Sequence, residues 1–211
     1  MRNGVLAGAA GAGLAAVFGA VARLRPSAHA LHPVGVQLSG TLHRFGSTPR
    51  WDVAWLDEPG EDEVLVRLSR AVGLPPALPD ILGLALRVGG PPAHGDLLFA
   101  TTGTGTLGRF VLLPRSTEEC SYTTLLPYRT PTGPVLLMAR FSDGRDIEMS
   151  AGTPLGAWHP FARLELPAAA EGFDPPIAFD PMHNTIAGLE PYSWVRRLRA
   201  GSYAASRSAR Q

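Results

Sequence analysis

Between residues 31 and 167 the chain is broken so often by Gly, Pro and Asp that no long helix fits inside it. The segments "GLPPALPD", "GGPPAHGD", "TGTGTLG", "TPTGP" and "SDGRD" separate short apolar runs. Gly and Pro end regular structure, one by freeing the backbone and the other by removing a donor. The runs between them are 34–45, 63–72, 81–88, 96–102, 108–114, 133–141 and 161–167. In the first, Val34, Val36, Leu38, Gly40 and Leu42 fall on one side of a period-two pattern, as in a half-buried strand. Seven or eight such strands with short connections predict an antiparallel sheet that closes on itself, because closure removes unpaired edges. Only the first 25 residues, 116–128 and the stretch after 190 read as helical. The expected class is α+β: a closed antiparallel β-barrel with a few flanking helices, one of them C-terminal.

A chain of 211 residues with 45% hydrophobic and 18% charged residues can bury one sizeable core. Its net charge of +1 gives no argument for a nucleic-acid partner. The single cysteine, Cys120, excludes an internal disulfide framework, and no CxxC or Cys/His cluster has zinc spacing. Gly4 to Ala22 is uncharged and rich in Gly and Ala, which is weak for a membrane span. We read residues 1–25 as a helix or arm packed on the domain or a partner, and 26–211 as the barrel with its C-terminal helix. This predicts a cytoplasmic protein that can pair two copies through the arm. A signal peptide or membrane anchor in residues 1–22 is the alternative.

The chain nearly ends with "RLRAGSYAASRSAR". On a helix Arg196, Arg199, Tyr203, Arg207 and Arg210 share one face, at i−7, i−4, i, i+4 and i+7. Guanidinium groups beside a phenol favour the phenolate, a hard anionic ligand suited to ferric iron. The other reading is a basic, solvated tail that touches a membrane or nucleic acid. Elsewhere, His32 opens the first strand, and Arg67 and Ser69 share a face of the second. Ser69 is placed to orient an imidazole, as a group behind a general base does. Six histidines are present, but none sits in HExxH, and there is no GxSxG. "TGTGTLG" lacks the Lys-Ser/Thr ending of a phosphate loop and reads as a hairpin turn.

Several segments, in order, resemble the haem catalases. His32, Gly35, Gly40 and Thr41 are similar to the family's distal-histidine strand, and "VRLS" to its Arg-Phe-Ser segment. "PDILGLALRV" (79–88) resembles Asp-Pro-Arg-Gly-Phe-Ala-Val-Lys, and "GDLLFATT" (95–102) follows where the family has Asp-Leu-Val-Gly-Asn-Asn. "FDPMHNTIAGL" (179–189) and the Arg199-x-x-x-Tyr203 spacing complete the order. The resemblance spans residues 31–210 and implies a minimal form, a catalase-like barrel plus a proximal helix. It implies haem b, with Tyr203 on the iron, Arg199 holding the phenolate, and Arg67 and Arg210 on the propionates. His29, Arg207 and Arg196 are further candidates near the propionates. His32 would be the general acid/base and Ser69 its orienter. Ala100 stands where the family has an asparagine, which leaves Thr101 or Thr102 as substitutes. The implied activity is a peroxidase, with peroxide oxidising a small organic donor and little true catalase turnover. Two other readings stay open: a haem holder without turnover, and a barrel without haem that binds an apolar ligand.

Overall fold

The barrel is built from strands whose alternate residues are aliphatic. In the computed structural model, β1 spans Gly35–Arg44, β2 Gly60–Arg70, β3 Leu82–Val88, β4 Gly95–Thr101 and β5 Ser121–Thr123. They are followed by β6 Tyr128–Thr130, β7 Gly133–Phe141, β8 Ile147–Gly152, β9 His159–Glu165 and β10 Glu190–Pro191. One helical turn, α1, covers Ala54–Asp57. The structure describes residues 35–71, 75, 77–90, 93–142, 146–167 and 177–197.

All pairings are antiparallel. They run β7-β5-β4-β3-β2-β1-β9-β8, and β8 pairs back with β7, so eight strands close a barrel. β6 and β10 extend the sheet beyond β7. β5 and β6 both pair along β7, at Met138–Arg140 and Gly133–Val135 respectively. The interruption between them contains Leu125, whose φ of 59° is left-handed. Inside the barrel lie Leu38, Leu42, Val64, Val66, Leu84, Leu86, Leu97, Leu137, Met149 and Leu164, all essentially buried. Alternation puts their sequence neighbours on the outer face. Burial of these side chains drives closure at roughly 1.5–3 kcal/mol each before entropy is counted.

Two local expectations are corrected. Residues 108–114 do not form a strand: Gly108–Phe110 is a 3-10 turn, and only the single bridge Thr102–Leu112 pairs there. The Gly103 N–H donates to Gly108 O, so the loop folds on itself and carries Arg109 and Phe110 inward. Its 102–108 part is the tight turn that its glycines predict. Residues 116–128 are not helical either. Tyr122 pairs with Thr101 and Ala139, and Thr123 with Ala100 and Met138, which bridges β4 to β7. Aromatic and β-branched residues suit that position, and ladder pairing overrides weak helix propensity. Strand β8 was not anticipated, because Ile147, Met149 and Ala151 form too short a pattern within "DIEMSAG". After 190 the described residues do turn helical, at 193–197.

Candidate functional site

Val64, Val66 and Leu68 point into the core, so Leu65, Arg67 and Ser69 face outward on β2. On β4 the core residues are Leu97 and Phe99, which leaves Asp96, Leu98 and Ala100 on that same outer face. The register aligns these residues in rows across four strands. One row is Gly35, Ser69, Gly83 and Ala100, from β1 to β4. The next is Gln37, Arg67, Ala85 and Leu98. Ser69 and Ala100 stand two strand spacings apart, roughly 9.5 Å.

The polar groups gather at the β1–β2 side of this face. Ser69 Oγ donates a long hydrogen bond to Gly83 O at 3.4 Å. The Arg67 guanidinium lies over Gly35. A Cβ at Gly35 would come within 2.8 Å of Arg67 Cζ and 2.7 Å of Leu68 O. Glycine is therefore required by close approach here, not by its backbone angle.

In these two rows the β3–β4 side is apolar, made of Gly83, Ala85, Leu98 and Ala100; Arg87 and Asp96 stand in the next row. Thr101 and Thr102, the sequence's candidates for a hydroxyl beside Ala100, do not serve it. Thr101 is fully buried; its hydroxyl donates to Leu113 O at 2.7 Å and accepts from Leu82 N at 3.1 Å. Thr102 is equally buried and donates to Thr123 Oγ1 at 3.1 Å, and Thr123 Oγ1 in turn donates to Arg109 O.

Below these rows is a charge cluster that sequence reading missed. Arg87 on β3 grips Asp96 on β4 with two hydrogen bonds of 2.8 and 2.9 Å. Asp96 also accepts from Asn184 Nδ2 at 2.8 Å and from the Asp180 N–H at 2.7 Å. Arg87 reaches Ala178 O and lies 5.1 Å from the Phe179 ring centre. Burial alone would push the Asp96 carboxyl up; Arg87, Asn184 and the Asp180 N–H outweigh it and hold it below the ordinary aspartate range. The cluster straps residues 178–184 onto β3 and β4, beside the outer-face rows. Three quoted segments, 79–88, 95–102 and 179–189, thus meet at one ion pair. The signal was present as a basic residue and an acidic residue in neighbouring strand motifs, but only register could pair them.

The guanidinium of buried Arg109 donates to Thr153 O at 2.9 Å and lies 4.2 Å from the centre of the Trp158 ring. It ties the 102–112 loop to the turn after β8.

Of the residues singled out from sequence, the structure brings Ser69 and Arg67 onto one face in adjacent rows. Arg196 is exposed on the 193–197 turn. His32, Tyr203, Arg199 and Arg210, with His29 and Arg207, lie outside the described residues. β1 begins at Gly35, opposite Ser69 and three residues after His32 in sequence.

The described fold is similar to the structure of a bacterial catalase, with a TM-score of 0.58 and 15% sequence identity. The match covers 92% of this chain and 59% of that one, so the chain spans less than two thirds of the catalase's length. No protein-family profile matches the sequence. No curated protein matches it either. The likeness establishes a catalase-like barrel fold.

Proposed function

We propose that the chain is a haem b peroxidase, in which peroxide oxidises a small organic donor on the outer face of β1–β4. The observation that carries this reading is the convergence of Ser69 and Arg67 on one face of a catalase-like barrel, in register with the residues that follow His32. The face fits a flat, dianionic macrocycle in two respects. Gly35, Ala85 and Ala100 put small residues in its rows, and the Arg67 side chain, whose planar fork suits carboxylates, lies over Gly35.

Tyr203 would hold the iron, Arg199 would keep its phenol ionised, and Arg67 and Arg210 would meet the propionates. When bound, haem supplies the redox chemistry of peroxide cleavage. His32 takes the proton from the peroxide and returns one to the leaving oxygen. Ser69 would accept the imidazole N–H and fix the ring's orientation. The Arg87–Asp96 cluster acts one step further out: it anchors 178–184, the segment that leads toward the C-terminal tyrosine in sequence.

Variants of the haem-loaded chain test the roles. His32→Ala should leave the Soret band in place and lower peroxide reactivity by roughly a hundredfold or more, the scale of general acid–base catalysis. Ser69→Ala should cost less, roughly ten- to a hundredfold, the scale of a group that orients another. If neither variant changes reactivity while haem stays bound, the protein is a haem holder without turnover. Ala100 and the engaged hydroxyls of Thr101 and Thr102 favour that second reading.

A further inference from the structure

We infer that the loops 103–111 and 153–157 form a tip that docks on a zwitterionic lipid surface, with Leu107, Val111 and Leu155 entering its acyl layer. The inference stands apart from the haem reading. Its ground is three large apolar side chains left in water on two loops that are tied together. Leu107 is 76% exposed, Leu155 67% and Val111 51%. The backbone under them is hydrogen-bonded. The Gly103 and Val111 N–H groups donate to Gly108 O at 3.0 and 2.9 Å, and the Gly156 N–H donates to Thr153 O at 3.2 Å. Arg109 joins one loop to the other through Thr153 O, and Trp158 Nε1 joins them again by donating to Thr104 O at 2.8 Å. A backbone bonded in this way presents its apolar side chains with little further ordering cost on binding.

Charge decides what kind of partner fits. No Asp, Glu, Lys or Arg stands between Asp96 and Arg109, between Arg109 and Arg115, or between Glu148 and Arg163. Arg109 itself is only 3% exposed, and its guanidinium lies against the Trp158 ring. A cation at the tip would resist entry into hydrocarbon, and here it is withdrawn. Trp158 is half-buried, with its N–H already satisfied, and an indole so placed suits the level of lipid headgroups. With no exposed cation there is no pull toward anionic lipid, so a zwitterionic surface is the one named. A protein partner is served less well. Three side chains fall far short of the roughly 800 Å² per partner that a stable protein interface buries. Lipid insertion has no such threshold, because each apolar side chain contributes on its own.

The test is co-sedimentation of the full chain with phosphatidylcholine vesicles at low and high salt. The wild type should partition onto the vesicles, and high salt should not release it, because the contact is apolar. Leu107→Ser with Leu155→Ser should weaken partitioning by roughly a hundredfold or more. Both side chains are exposed, so the melting temperature should hold. Leu155→Ser alone, expected to cost roughly tenfold, serves if the double variant melts lower. Vesicle binding that is equally strong in these variants would put the contact elsewhere on the chain and overturn the inference. A wild type that ignores vesicles overturns it too. If that wild type self-associates in sedimentation equilibrium and the double variant does not, the tip covers a second copy of this chain instead.

Discussion

At the scale of single residues, the face depends on what is absent as much as on what is present. Gly35 has no Cβ, and the Arg67 guanidinium occupies the space a Cβ would need. Leu68 O, at 2.7 Å from that position, is backbone and cannot swing aside. Gly35→Ala should therefore displace Arg67 and strain the β1–β2 ladder, at a cost of about 1–3 kcal/mol. Thermal unfolding should fall by several degrees. Haem titration should show weaker binding, because the guanidinium is moved from its place. A variant with unchanged melting temperature and unchanged haem affinity would contradict the packing role. Ser69 and Arg67 were legible in the sequence because their spacing of two is the period of a strand. The fates of Thr101 and Thr102 were not legible. A threonine's hydroxyl goes wherever burial requires a partner, and Leu113 O and Thr123 Oγ1 are brought there only by tertiary folding.

At the scale of elements, the Arg87–Asp96 pair joins two strands to a segment more than 80 residues away in sequence. Asp96 has a side chain with no solvent exposure, so removing its charge leaves Arg87 without its bidentate partner. Asp96→Asn should destabilise the fold by about 3 kcal/mol near neutral pH. The pH dependence has a defined sign. The folded carboxyl titrates below the ordinary value of 3.8, so its stabilisation is complete above that value and is lost as pH falls through the folded pKa. The stability gap between wild type and Asp96→Asn should be largest above about pH 5 and should shrink at lower pH. Urea midpoints at pH 6 and pH 3 would measure it; a gap that widens on acidification would refute the charge-pair account. The continuous apolar run at 133–141 falls on the observed bounds of β7. The three-residue strands β5 and β6 and the short β8 were missed, because their pairing comes from neighbours that sequence periodicity does not reveal.

At the scale of the whole molecule, closure is the property that turn spacing made predictable. Eight strands leave no edge within the ring, and β6 and β10 form a short extension outside it. Amide exchange should separate the two. Amides of β2, β3 and β7 that face ring partners should exchange only with global unfolding, while those of β10 should exchange faster by local opening. Equal protection of β10 and β3 would contradict this organisation. The order of motifs along the chain carried the resemblance, and the fold bears out a catalase-like barrel. The function rests on what that barrel's outer face can hold. Its central claim is that Tyr203 ligates haem iron, and the most direct measurement is the ultraviolet–visible spectrum of haem-supplied wild type beside Tyr203→Phe. A high-spin ferric Soret band that shifts or disappears in Tyr203→Phe is the predicted result. A wild type that stays colourless through haem titration, or a Soret band identical in both proteins, would contradict the assignment.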